Sequence, residues 1–214
     1  MKELIIIGAG GYAKSVLDSV DYMNFEMVGF LDDIKPKGFI HQGYPVLGDS
    51  IESIEDRNNY VYFVAIGNNA KRKTWFDKLK DYNLSLINVI DKSALVSSHA
   101  TLGEGCFIGK LAILNHGSSV GDNCVINTRA LIEHGCRIDN HVNISTNATL
   151  NGDVICEDGS FVGSGTVING QLTIGKWALV GSGAVVIRDV KEKTTVVGCP
   201  AKEIDSKSHK YNSY

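Results

Sequence analysis

From Val96 onward an aliphatic residue recurs at every sixth position: Val96, Leu102, Ile108, Leu114, Val120, Ile126, Ile132, Ile138, Ile144, Leu150, then Cys156, Val162, Ile168, Ile174, Val180 and Val186. Two residues before each stands a mostly small one, from Ala94 and Ala100 through Cys106, Ser118 and Cys124 to Ala178 and Ala184. The residue after is usually Gly, Asn or Asp, as at Gly103, Gly109, Asn115 and Asp139. A strand sends alternate side chains to one face, so the aliphatic and the small residue both point inward. Gly, Asn and Asp tolerate positive φ, which predicts a corner after each short strand. Three sides close a coil of eighteen residues, and stacked coils bury a continuous aliphatic column. Cys106 and Cys124, eighteen apart, stack in adjacent coils. With Cys136 they occupy the small inward position and read as core filler, neither nucleophiles nor metal ligands.

The residues before the repeat follow another rhythm. Residues 3–7 read as a buried strand. Gly8-Ala9-Gly10-Gly11-Tyr12-Ala13 follows and matches G-x-G-x-x-G/A at a strand-to-helix turn. A helix is expected over 14–22, a second strand over 27–31 ending in Asp32-Asp33, and a third over 60–66. Gly67-Asn68-Asn69, a helix carrying Arg72, and a last strand over 87–90 complete this part. The acidic pair lies about twenty residues past the glycines, as a nucleotide-binding fingerprint requires. Glycines let a phosphate approach the backbone, and a helix N-terminus favours anions. A glycine turn without a ligand is the plainer alternative. A nicotinamide dehydrogenase is excluded on size, because about ninety residues supply only one mononucleotide-binding half. The chain thus divides into a Rossmann-like α/β domain with a parallel sheet (1–88), an all-β repeat domain (89–204) and a polar tail (205–214) expected to be disordered.

Composition narrows the partners. The 214 residues carry a formal net charge of −3, with 43% hydrophobic and 21% charged residues. Nothing suggests a nucleic-acid partner. No apolar run reaches the roughly 20 residues of a membrane span, and the start does not resemble a signal peptide. Five scattered cysteines argue against a disulfide framework and make the cytoplasm the expected compartment. Against three prolines stand 23 glycines, as repeated tight turns demand.

Of six histidines, His134 is the candidate for chemistry. It sits two residues past the inward Ile132, near a corner, and projects outward, so it cannot serve the core. Glu133 or a backbone carbonyl could orient its ring. His116 precedes it by eighteen residues and stacks on the same corner, where it is a surface histidine or a substrate contact. His99 and His141 read as surface residues, His41 as part of a glycine-flanked loop, and His209 as part of the tail.

Together these pieces resemble one family. The glycine turn, the Phe30-Leu31-Asp32-Asp33 strand end, the segment from Ile66-Gly67-Asn68-Asn69 to Arg72, and the hexapeptides from Ile126-Asn127-Thr128 to Ile132-Glu133-His134 are similar to those of the sialic acid O-acetyltransferase NeuD and bacillosamine-pathway PglD group. The similarity runs from about residue 3 to Ile204. It implies a left-handed parallel β-helix and a homotrimer with acetyl-CoA in the groove between neighbouring β-helices. A nucleotide-linked sugar would be held by the N-terminal domain, in cell-surface polysaccharide or glycan synthesis. Histidine suits a base acting near neutral pH, and the matching position is His134, with Glu133 beside it. By the same matching Asn143, Gly152, Ser164 and Ser182 line the CoA channel, and the Gly198-Cys199-Pro200-Ala201-Lys202 ending lies near the CoA nucleotide. Gly10, Gly11, Asp32, Asp33, Gly67, Asn68 and Arg72 border the sugar's nucleotide, with Asn127 and His116 as further substrate contacts. The chain departs from the pattern at Tyr12 and Asn143, where the family often has histidine, and at Gly135, where it often has an acid.

The implied reaction is acetylation of a sugar amine. The alternatives are a sugar hydroxyl as acceptor, a non-catalytic β-helix that binds a nucleotide sugar, and a metal-dependent hydratase. The last belongs to γ-class carbonic anhydrases, whose paired histidine ligands lie five residues apart. His134 and His141 lie seven apart, and no metal is expected.

Overall fold

The computed structural model describes residues 1–205; the tail expected beyond them, with His209, lies outside the described residues. The N-terminal part is a six-stranded sheet built from β1 (Lys2–Ile7), β2 (Phe25–Leu31), β3 (Ile40–His41), β4 (Tyr44–Gly48), β5 (Val61–Val64) and β6 (Ser85–Leu86), in the order β3-β4-β2-β1-β5-β6. All pairs are parallel except β3–β4. The apolar run of β1 is buried on both sides, as a central parallel strand requires. Leu4 and Ile6 meet Ala13, Val16 and Leu17 of α1 (Gly11–Leu17), while Ile5 and Ile7 meet Leu79 of α2 (Asn69–Asp81) and Ile51. Two expectations shift. Helix α1 starts three residues early and stops at Leu17, because Ser19 turns away to donate to Asp91 Oδ2 at 2.7 Å. The loop expected around His41 is a hairpin, turned by Gln42 (φ 49°) and Gly43 (φ 86°).

From Val89 the chain winds as a parallel β-helix with three faces. The first face stacks Val89–Ile90, Phe107–Ile108, Val125–Ile126, Asn143–Ile144, Phe161–Val162 and Leu179–Val180. The second runs from Leu95–Val96 to Val185–Val186, and the third from Thr101–Leu102 to Thr173–Ile174. Partners within these faces are eighteen residues apart, as in Phe107↔Val125 and Leu131↔Thr149, until the last coil, where Leu179 pairs with Thr195. The repeating aliphatic and small positions form one continuous core, including Cys106, Cys124, Cys136 and Cys156, all fully buried. A hairpin of Thr195–Val197 with Lys202–Ile204 closes the far end.

The corners work differently from the sequence expectation. Positive φ falls on the third residue after the inward aliphatic, as at Gly105, Leu111, Asn123 and Asp153, not on the first. Glycine at the first place answers a different need. A Cβ on Gly109 would lie 2.8 Å from Thr128 N, and one on Gly163 2.5 Å from Ser182 N, so these glycines let successive coils approach.

The N-terminal domain rests on the first face. Tyr12 meets Phe107 edge-on, with ring centroids 5.5 Å apart, and Val89 and Val125 join the same apolar cluster. Helix α2 runs down the corner between the third and first faces. Asn69, Arg72, Phe76 and Lys80 share one side of it. Asn69 Nδ2 donates to Gly159 O and Ser160 O at 3.1 Å, Arg72 to His141 O at 2.9 Å and Asn123 O at 3.1 Å, and Lys80 Nζ to Glu104 at 2.7 Å. A helical turn advances about 5.4 Å and stacked strands lie about 4.8 Å apart, so each turn of α2 meets one coil.

Candidate functional site

A cavity of about 470 Å³ opens at the carboxyl ends of β1, β2 and β5. Strand order reverses between β1 and β5, and open parallel sheets bind ligands at such a crevice. Its walls include Gly8, Gly10, Gly11, Asp33, Gly67 and Trp75. Gly8, at φ 93°, packs so closely that a Cβ would lie 3.0 Å from Ala65 O, whereas Gly10 and Gly11 face open space. Asp32 also borders the cavity, but its carboxylate is engaged. Oδ2 accepts from Ala9 N–H at 2.7 Å, and Oδ1 from Ile34 and Lys35 N–H at 3.0 and 2.8 Å. Burial alone would raise its pKa; the three backbone donors and the Lys35 ammonium outweigh that and hold it below the usual range. Asp33 is exposed and remains free to meet a ligand. Asn68 caps α2, its side chain accepting from Lys71 N–H at 2.9 Å. Lys35 Nζ donates to Ala9 O and lies 3.4 Å from His41 Nδ1, so the β3–β4 hairpin braces the glycine turn from behind. Burial, then Lys35, lowers the pKa of His41. Sequence reasoning missed this brace, because the hairpin itself was not expected.

Arg72 takes a different place from the one the motif suggested. Its side chain is fully buried between the domains and meets main-chain carbonyls, namely Asn123 O, His141 O and, at 3.3 Å, Ile66 O and Gly67 O. It cannot border a nucleotide. It ties the floor of the cavity to the β-helix instead. Tyr12 OH is buried without a hydrogen-bond partner, and burial pushes its pKa far above the ordinary phenol value, so it stays neutral. A smaller cavity of about 280 Å³ continues from the glycine turn to the first face, lined by Gly11, Tyr12, Ser15, Gly67, Asn127 and Asn143 among others. Asn127 and Asn143, expected at different ligands, thus share one hollow beside the glycines. Ser164 and Ser182 are exposed at the corner between the first and second faces.

His134 lies elsewhere, on the corner between the second and third faces, which is the edge of the prism opposite the first face. It is exposed, and its imidazole lies over Gly152 in the next coil, where a Cβ would come within 2.7 Å of Nε2. Gly170 follows at the same place one coil on, before the exposed Arg188, so the two coils next to the ring carry no side chain at this place. Gly152 is therefore the bed of the histidine. Glu133 does not reach the ring by a hydrogen bond: its Oε2 accepts from Asn115 Nδ2 at 3.0 Å and from His134 N–H at 3.4 Å. His116 lies one coil earlier and stacks on His99, with centroids 4.4 Å apart. His141, expected at the surface, is buried against Phe76, and its Nδ1 lies 2.9 Å from Asn123 Nδ2. Cys199 is exposed. Among the described residues no three His, Cys, Asp or Glu side chains group to hold a metal, and no helix is long and apolar enough to cross a membrane.

Residues 3–79 match the PglD N-terminal domain, and residues 99–134 match the bacterial transferase hexapeptide (six repeats). The fold is similar to that of the acetyltransferase domain of PglB from Neisseria gonorrhoeae, with a TM-score of 0.90 and 32% identity over 95% of this chain and 100% of that one. That domain has also been solved with acetyl coenzyme A. A histidine-to-asparagine variant of perosamine N-acetyltransferase from Caulobacter crescentus, in complex with CoA and GDP-perosamine, gives a TM-score of 0.89 and 32% identity over 95% of this chain and 97% of that one. An uncharacterized protein of Acanthamoeba polyphaga mimivirus is 31% identical over 104 residues, which are 49% of this chain and 20% of that protein, so the chain spans about a fifth of the length of this curated relative.

Proposed function

Since the chain belongs to the PglD/NeuD-type family of hexapeptide-repeat sugar acetyltransferases, we propose that it moves the acetyl group of acetyl-CoA onto the amino group of a nucleotide-linked amino sugar, with His134 as general base. The observation that carries this reading is the pairing, in one chain, of a nucleotide-sized cavity at the switch point of a parallel sheet with an outward histidine on an edge cleared by Gly152 and Gly170. The perosamine enzyme's complex with CoA and GDP-perosamine supports the acceptor class, and the acetyl coenzyme A complex of PglB supports the donor.

The chemistry follows from the residues. The nucleotide enters the cavity past Gly10 and Gly11, with Asp33 at its rim, and the sugar extends toward Asn127 and Asn143. His134 takes a proton from the acceptor amine as its nitrogen attacks the thioester carbonyl. The carbon–sulfur bond then breaks, and the imidazolium returns that proton to the departing CoA thiolate. Histidine as a residue type suits both transfers, accepting a proton as imidazole and returning it as imidazolium. One chain keeps the two halves of this site apart, since the cavity lies over the first face and His134 on the edge opposite it. This separation supports a homotrimer in which the edge of one protomer meets the cavity of its neighbour.

The test is release of free CoA thiol from acetyl-CoA against amino sugars linked to UDP, GDP and dTDP, with sialic acid alongside. Turnover on one nucleotide-linked amine is expected, and His134→Ala should lower kcat on the order of 100-fold or more. Turnover confined to sialic acid would replace the amine with a hydroxyl. Wild-type turnover by His134→Ala would remove the base.

A further inference from the structure

The turn that carries the histidine runs Glu133-His134-Gly135-Cys136, and the turn one coil on runs Asn151-Gly152-Asp153-Val154. The Asp153 N–H donates to His134 O at 2.9 Å, which locks the two turns together. Gly135 and Asp153 hold equivalent left-handed places, at φ 68° and 61°. From there the Asp153 side chain folds back over the earlier coil. A Cβ built on Gly135 would collide with Asp153 Oδ1 and lie 3.3 Å from its Cγ. The carboxylate thus fills the space that a side chain at 135 would occupy, one residue from the base. Glu133 is drawn the other way, toward Asn115 in the preceding coil. Both carboxylates flank this turn: burial pushes the Cys136 thiol up, and the charges of Asp153 and Glu133 push the same way. The other charged or titratable groups along this edge include His116 and His99 in the preceding coils and Arg188 further on.

We propose that Asp153 is the positioning residue of the His134 base, supplying from the next coil the carboxylate that Gly135 cannot. This rests on the reading of His134 given above. As His134 takes the acceptor's proton, its ring becomes a cation, and a nearby carboxylate favours that charged form. The edge is exposed, so water and salt screen the pair and the effect is moderate.

The experiment is steady-state kinetics of the full chain. Asp153→Asn is expected to lower kcat about 3- to 10-fold. The KM for acetyl-CoA should stay unchanged. The double variant Gly135→Asp with Asp153→Gly returns an acid to the same space from the earlier coil, and should restore the rate. An Asp153→Asn enzyme with wild-type rate overturns the proposal. So does a loss of rate that the double variant fails to rescue, since that assigns Asp153 to the shape of the turn. His134→Ala, measured alongside, separates the two readings. Full activity there overturns the base itself, whereas inactivity there with a wild-type Asp153→Asn rate overturns only the role of Asp153.

Discussion

His134 owes its position to what its neighbour lacks. The ring lies against the Cα of Gly152, so a single methyl there must push the imidazole aside. Gly152→Ala is expected to reduce kcat on the order of 100-fold, the scale of an ångström-sized misplacement, with little change in the thermal midpoint by scanning calorimetry. A large fall in the midpoint instead would make Gly152 a packing residue only. Arg72 shows the opposite economy, a full charge spent on main-chain carbonyls. Arg72→Met leaves these carbonyls without donors at the domain junction and should cost about 2–4 kcal/mol in urea unfolding. Arg72→Lys should not restore that loss, because an ammonium cannot span carbonyls of both domains as a planar fork does. That the Arg72 motif mattered was legible in the sequence. Its role was not, because a motif names residues and not the direction in which a helix turns them.

At the scale of the element, the coil was the most legible feature. Period six with alternation inside each strand leaves little freedom, and both inward positions form the core from Cys106 to Val186. The corners lie two residues further on than the spacing suggests, because spacing alone cannot tell a glycine needed for φ from one needed for close approach. That distinction is testable at Leu111, an exposed leucine at φ 57°. Leu111→Asn should raise stability by about 0.5–1 kcal/mol, since asparagine tolerates this region better than a bulky side chain. An unchanged or lower urea midpoint would mean that its side chain packs more than its exposure implies. The hairpin around Gln42-Gly43 escaped notice because glutamine is not a usual residue at a positive-φ turn position. The placement of the two half-sites was illegible for a deeper reason. A repeat fixes three equivalent faces, and only side chains such as Tyr12 and Phe107 decide which one the first domain covers.

At the scale of the molecule, two carboxylates make the assembly sensitive to acid. Asp32 holds the glycine turn, and Asp91 joins Ser19 of the first domain to the first coil. Both have pKa values below the ordinary one despite burial that would raise them; in Asp91 the Ser93 and Ser19 donors outweigh it. A depressed folded pKa gives stability that is present above the unfolded value, near 3.9, and lost as pH falls through the folded one. The urea midpoint should therefore drop from about pH 6 to about pH 3, and drop less in Asp32→Asn and Asp91→Asn. The divided site makes a further prediction. The protein should run in light scattering at three times the 23.2 kDa of one chain. Co-expressing His134→Ala with Gly11→Trp, which fills the cavity, should restore activity at about a third of the sites in mixed trimers, roughly a quarter of all sites after random assembly, although each variant alone is inactive. No recovery would place the cavity and the histidine in separate reactions. The pairing of α2 with the coils also has a consequence in time. Asn69 leaves the ribosome 90 residues ahead of the Gly159 carbonyl that it meets. At about 5–20 residues per second, Asn69 waits roughly 5–18 s for that partner, and Arg72 a shorter time for His141, 69 residues on. During that interval the nascent chain presents an unfinished surface, and its maturation is governed by the pace of translation.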